Sequence, residues 1–215
     1  SNEKLLGVIV NNNLTWNNHL FGNDEEKALI KKLSQRIGIL SRLRKYLPDK
    51  KFSQIAEGLF MSKLIYCITV WGFNLNKEEL RKLQVLQNKC LRLISHSGYD
   101  TPRKVLLEKC KKLSVKQLII YHTACQTFRI FNTKYPAYHH RKLFLIGNEN
   151  IPGTRAQNNY TANKINYKLS LSRNQFFYQA SQIWNKVPLQ IRKMDKIETF
   201  KKPLKSWIIK NVQHF

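Results

Sequence analysis

Acidic residues are scarce in this chain of 215: Lys and Arg number 38 against 13 Asp and Glu, a formal charge of +25. Between Glu108 and Asp195 the only carboxylate is Glu149. So few acids leave little for acid–base chemistry. A two-metal phosphoryl-transfer site needs clustered carboxylates to hold Mg²⁺. The two clusters present, Asp24-Glu25-Glu26 and Glu78-Glu79, read instead as first turns of helices, where acids complement the helix dipole. No catalytic residue is assigned.

Cysteine is also sparse. Cys67, Cys90, Cys110 and Cys125 include no pair with zinc-knuckle or redox spacing. Cys67, Cys90 and Cys125 fall among apolar residues at helical spacing, where Cys acts as a small hydrophobe. Reduced thiols fit an intracellular protein of the nucleus or cytoplasm. His139-His140 has no Cys or carboxylate partner at ligand spacing, so no metal and no cofactor is expected. The longest apolar run, Leu59 to Trp71, is broken by Ser62, Lys63 and Thr69 and is too short to span a bilayer. A basic n-region and long h-region are missing from the N-terminal residues, so no signal peptide is expected. No internal repeat is found, and no membrane partner is expected.

What is present is positive charge on a chain that is 42% apolar, enough to build a core. A globular protein with that surplus repels itself, and nucleic acid is the commonest polyanion that such charge serves. The alternative is a merely solvated basic surface.

The expected fold is mainly α: an N-terminal β-strand or hairpin, a helical bundle, a loop-rich segment and further helices. Leu5 to Val10 reads as a strand that ends at Asn11 to Asn13. A first helix opens at Asp24-Glu25-Glu26 and buries Leu29, Leu33, Ile37, Leu40 and Leu43 or Arg44. Leu47-Pro48-Asp49 stops it and caps a second helix, carrying Phe52, Ile55, Ala56, Leu59, Phe60 and Leu64 into the apolar run. A third spans about Lys77 to Ser95 with Leu80, Leu83, Leu86, Cys90 and Leu93 inward. Thr101-Pro102 starts another, with Pro at the first helical position. Ser114 with Gln117 forms a capping box for a helix bearing Leu118, Tyr121, Cys125 and Phe128. From Lys134 to about Asn163 the periodicity dissolves into a linker, and Lys168 to Ser172 reads as a short strand. Phe176 to Trp184 is helical up to Val187-Pro188. A last helix covers roughly Thr199 to Asn211, with Phe200, Leu204, Trp207 and Ile208 as its stripe and Pro203 in the first turn. The expected domains are 1–22, 23–133, a linker 134–172, and 173–215.

Four segments in order carry a resemblance. Lys4-Leu5-Leu6-Gly7-Val8-Ile9, with Leu14-Thr15-Trp16 and His19, resembles the K-x-LGV…L-x-W…H segment of non-LTR (LINE-type) retrotransposon reverse transcriptases. Leu64-Ile65-Tyr66 through Val70-Trp71-Gly72 resembles the family's thumb helix, and Leu83 to Ile94 its LQ-x-LQNKALRLI helix. Gln182 to Pro188, with Ile191-Arg192 and Phe200-Lys201, resembles its LWN-x-LP…IR…FK stretch. The resemblance implies the region after the palm: a primer-grip-like strand, the thumb and a C-terminal segment. The family's paired aspartates have no counterpart in these 215 residues. Nor is there an endonuclease signature or a zinc knuckle. What is implied is therefore a polymerase part without its palm, inactive alone, whose parent would be an RNA-directed DNA polymerase.

A thumb grips template–primer RNA and DNA by phosphate contacts with little sequence preference. The candidate nucleic-acid-binding residues are Lys31, Lys32, Arg36, Arg42, Arg44 and Lys45 on the first helix, Lys89 and Arg92 on the third, and Lys109, Lys111 and Lys112 before Ser114. A further partner would be the upstream palm and fingers. Trp16, Trp71, Trp184 and Trp207 read as core. Tyr135, Tyr138 and Tyr160 read either as base-stacking groups or as plain loop tyrosines. Two other readings compete: a stand-alone retroelement-derived binding module, and a structural protein whose charge serves solubility.

Overall fold

A two-residue turn at Leu6-Gly7 folds the apolar N-terminal run back on itself. Strands β1 (Asn2–Leu5) and β2 (Val8–Asn11) pair antiparallel, with Leu5 opposite Val8. Both turn residues have positive φ, 48° at Leu6 and 83° at Gly7. That is the type I′ geometry that matches strand twist, and it needs glycine at the second position. The single strand expected over Leu5 to Val10 is thus two arms of a hairpin.

The computed structural model describes residues 2–12, 16–22, 28–145, 160–166 and 171–212. Leu14-Thr15, the Asp24-Glu25-Glu26 helix opening, Gly147, Pro152, Gly153 and most of the expected Lys168–Ser172 strand lie outside that set. The chain is mainly α, as expected, and divides into two compact units, Ser1–Lys116 and Gln117–Phe215.

In unit one the hairpin is followed by α1 (Asn17–Phe21) and α2 (Leu29–Leu43). Leu29, Leu33 and Leu40 of α2 are buried, while Ile37 and Leu43 are half-buried. The expected long second helix is a series of pieces. α3 (Asp49–Ala56) runs into a π-helical turn, Glu57–Met61, and then α4 (Ser62–Ile65). Cys67 is left-handed at φ 52°, which breaks the helix before α5 (Ile68–Trp71) and a 3₁₀ turn at Gly72–Asn74. Cys67 therefore marks a break and is not a helical core position. The indole of Trp71 donates to Tyr66 O at 3.0 Å and bridges the break. By length and composition Asp49–Asn74 is apolar enough to cross a membrane, longer than the run read from sequence. It is not one rod, however, and Phe52, Ala56, Phe60, Leu64, Ile68 and Trp71 are all buried.

Helix α6 (Lys77–Ser95) packs on α2 and opens with a full capping box between Asn76 and Glu79. Its buried face includes Leu83, Leu86, Cys90 and Leu91, and also Gln84 and Gln87, which periodicity in apolar residues passes over. Leu80 and Leu93, expected inward, are half-buried. Pro102 and Pro48 precede α7 (Arg103–Lys109) and α3 at the cap position, in extended conformation. Each was expected one place differently: Asp49 is the first residue of α3, and Pro102 stands outside α7. A proline ring fixes φ near the extended cap geometry as readily as at the first helical residue.

Almost all of α8 (Val115–Thr133) belongs to unit two, although its pattern groups with the preceding helices. Leu118, Ile119, Ile120, Ala124, Cys125, Phe128 and Ile130 are buried around most of its circumference. Such a helix is central to a core. The linker expected over 134–172 is in part structured. α9 (Ala137–His140) continues as a π-helical turn, Arg141–Leu145, and Leu143, Phe144 and Ala162 are buried. The described end of the expected strand, Leu171–Asn174, is a 3₁₀ turn. α10 (Phe176–Lys186), α11 (Leu189–Arg192) and α12 (Ile197–Asn211) complete the unit. Because α12 begins at Ile197, Pro203 lies in its interior and not in the first turn, at a cost of about 3 kcal/mol. Burial of Phe200, Leu204 and Ile208 offsets that cost at about 1.5–3 kcal/mol each.

Candidate nucleic-acid interface

Tyr66 fixes the hairpin to the helices. Its hydroxyl donates to Leu6 O at 2.6 Å, and a Cβ at Gly7 would come within 3.8 Å of the ring. An open cleft of about 480 Å³ lies here, lined by Leu6, Gly7, Arg36, Gly58, Leu59, Ser62, Lys63 and Tyr66. A second cavity of about 10 Å³ shares Gly7 and Lys63 with it and adds His19 and Lys32. Among the described residues no carboxylate lines either space.

The π-helical turn shapes the cleft wall. Ser62 N reaches Glu57 O, five residues back. The Ser62 hydroxyl then donates to Gly58 O, and Arg36 Nη1 donates to Leu59 O. Widened turns of this kind free carbonyls that side chains must satisfy. Arg36 is thereby anchored at the cleft with further N–H groups of its five still available.

The cations crowd one another. The Lys63 ammonium is pushed below the ordinary lysine range, first by partial burial, then by the charges of Lys32 and Arg36, with a smaller push from Lys4. His19 is buried, and its pKa falls from 6.5 to about 4 through burial, Lys63 and Lys32. Its Nδ1 accepts from Ile9 N at 3.4 Å, so the neutral ring carries its proton on Nε2. A neutral His19 avoids adding one more positive charge to the group. An anion entering the cleft would relieve the repulsion that Lys63 feels.

The eleven cations read from sequence divide into three sets. Arg44 is held by protein: Nε donates to Leu93 O at 2.9 Å, Nη1 to Leu47 O at 3.2 Å, and the guanidinium pairs with Asp49 and lies over Phe52. Arg92 donates to Thr101 O and lies over Tyr99. Lys109 donates to Ser95 O and Ser97 Oγ, Lys112 pairs with Glu57, and Lys111 also interacts within the chain. Arg44, Arg92, Lys109 and Lys112 thereby tie helices to neighbouring segments. Lys31 and Arg42 are exposed on α2, Lys45 is exposed in the turn after it, over the Tyr46 ring, and Lys89 is exposed on α6. Only Lys32 and Arg36 of the eleven belong to the cleft group.

Sequence reasoning passed over Lys63 and Lys4, which complete it. The available signal was a lysine inside the apolar Leu59–Trp71 run with no acid beside it. It also passed over Arg129 and Lys201 in unit two. After burial, these two charges lower the pKa of His122.

The polar residues of the quoted motifs serve architecture. Gln87 Nε2 donates to Leu113 O at 2.9 Å, and Gln84 Oε1 accepts from Val115 N at 2.9 Å. Gln84 Nε2 donates to Gln87 Oε1 and Asn88 Oδ1, closing a buried amide network. In unit two, Trp184 Nε1 and Arg192 Nη1 both donate to Tyr160 O, at 2.7 and 3.0 Å. Asn185 exchanges two bonds with the backbone of Ala162. Trp184 is fully buried among Phe128, Phe131, Phe144 and Phe200. Tyr160 packs on Phe131 at 5.3 Å and is half-buried, whereas Tyr135 and Tyr138 are exposed. Trp16 and Trp207, expected as core, are half-buried.

Burial raises the thiols of Cys90 to about 12 and Cys125 to about 11, so both stay protonated and unreactive at neutral pH. His139 and His140 are helical, not in a loop, and pack on Phe177 and Phe144. Among the described residues no three His, Cys, Asp or Glu side chains gather to hold a metal. Compared with protein-family models, with curated proteins and with solved structures, the chain finds no match.

Proposed function

We propose that this chain binds nucleic acid through phosphate contacts, as the thumb and C-terminal region of a non-LTR retrotransposon reverse transcriptase. The observation that carries the reading is the gathering of Lys32, Arg36 and Lys63, with Lys4 close enough to perturb Lys63, about a cleft that no described carboxylate lines. Crowded cations cost folding free energy through repulsion, and a sugar–phosphate backbone relieves it by displacing its counterions. Exposed Lys31 and Arg42 on α2, with Lys45 in the turn after it, extend the positive surface.

The ligand in this reading is template–primer, RNA with DNA, held with little sequence preference. The chain grips and does no bond-making alone, needs no cofactor of its own, and acts in the nucleus or cytoplasm. An upstream palm would be its partner. The hairpin tip supports that partner over a stand-alone module: Leu5 and Leu6 are 67% and 82% exposed, an apolar surface that a preceding domain would cover.

Fluorescence anisotropy with an RNA–DNA hybrid at rising salt tests the reading. Affinity should fall steeply, with a log–log slope of about −0.9 per phosphate neutralised. Lys32→Ala and Lys63→Ala should each flatten the slope by about one contact. Binding indifferent to salt would end the proposal.

A further inference from the structure

We infer a second, chemically distinct contact in unit two: an exposed aromatic platform centred on Tyr138 that stacks an unpaired base of single-stranded nucleic acid. The inference rests on the nucleic-acid reading above and adds to it a preference for unpaired strands. Tyr138 is 64% exposed, and Tyr135, three residues before it, is 75% exposed. Free tyrosine rings of this kind often belong to mobile loops, but this one is fixed. Tyr138 lies in α9 and meets Phe177 of α10 at 5.8 Å and 84°, and His139 at 5.9 Å and 85°. His139 lies tilted against Phe177 at 5.0 Å, and Phe176 closes the group at 6.2 Å from His139. The protein thus holds Tyr138 upright by perpendicular contacts and leaves most of its surface to solvent.

Charge selects the occupant. Lys142 Nζ lies 4.3 Å from the Phe177 ring centre and 5.9 Å from that of Tyr138. Lys134 is near enough to lower the pKa of His140, after the larger effect of burial. From residue 109 to 194 the sequence contains one carboxylate, Glu149. An aromatic face with cations beside it, in an acid-poor stretch of the chain, fits a base stacked on the ring with its phosphates on the lysines. A duplex hides its base faces, so it offers this platform nothing. The cleft of unit one, by contrast, is built for backbone alone.

The two contacts separate by their salt dependence. Stacking releases no counterions, so losing it weakens binding without changing the salt slope. In the full chain, Tyr138→Ala should weaken binding of a short uridine-only RNA by about tenfold, at an unchanged log–log slope. It should leave RNA–DNA hybrid affinity within about twofold, and Tyr138→Trp should restore the loss. Crosslinking with 4-thiouridine RNA should place an adduct on Tyr138. Tyr138→Ala with unaltered single-strand affinity overturns the platform while the phosphate grip stands. If the same variant lowers self-association in sedimentation instead, the face is a protein contact. An equal loss on hybrid and single strand also overturns the platform. Wild-type chain that binds neither probe removes both readings together.

Discussion

Gln84 and Gln87 do for unit one what Trp184, Asn185 and Arg192 do for unit two: each set fastens a non-helical segment to a helix. The means differ. Unit one uses neutral amides that bond each other and the Leu113–Val115 backbone, amid leucines. Unit two uses an indole at the hub of an aromatic cluster, with Phe128 and Phe200 stacked at 4.1 Å beside it. The difference teaches where each unit's charge is left. Unit one has 22 Lys and Arg with 10 acids, and seven of its candidate phosphate ligands have interactions within the protein. Unit two has 16 with 3, so carboxylates can neutralise few of its cations.

The comparison breaks most visibly at the hubs. Trp184→Ala should cost about 3–5 kcal/mol in urea unfolding followed by circular dichroism. Leu83→Ala, a single leucine among many, should cost about 2–5 kcal/mol and fall at or below it. A Trp184 variant as stable as wild type would show that the aromatic cluster is dispensable. Next come the fasteners. Gln87→Ala and Asn185→Ala each strand buried backbone groups, at about 1–3 kcal/mol apiece. Matched losses would make the two solutions equivalent, and a neutral Gln87→Ala would leave the amide network without a holding role.

Acid sharpens the contrast further. His19 titrates at about 4 when folded and at 6.5 otherwise, so the unfolded chain binds the extra proton first. The stability due to neutral His19 is full above pH 6.5 and is lost as pH falls toward 4. The slope is at most about 1.4 kcal/mol per pH unit. His19→Gln should flatten that part of a pH–stability curve, and an unchanged curve would mean that His19 is not kept neutral by its surroundings. His122 adds a loss of the same sign from unit two. The smallest effect belongs to the surface: Glu78→Gln, which removes the exposed pair with Arg81, should leave the unfolding midpoint where it is.

Much of this was legible in advance for a definite reason. The 3.6-residue recurrence of Leu83, Leu86 and Cys90 gave α6 to the residue, because nothing interrupts that face. Gln84 and Gln87 were invisible as buried groups, since their partners on Leu113 and Val115 lie far along the chain. The left-handed break at Cys67 and the π-helical turn before it carry no glycine or proline signal strong enough to announce them. α9 escapes the periodicity because its helix is four residues long and its apolar neighbour Phe144 meets Trp184, forty residues on. The surroundings of each cation are no more legible locally. Composition shows the surplus, but each Lys and Arg looks alike until its neighbours are known.

The sequence by itself determined the helical class, the longer helices and the unbalanced charge, since propensity, periodicity and composition are properties of adjacent residues. Tertiary structure alone decided which cations are tied to carbonyls and which crowd together at Lys63, and which tyrosines stay open. Those outcomes depend on contacts between residues tens of positions apart, where no local pattern reaches.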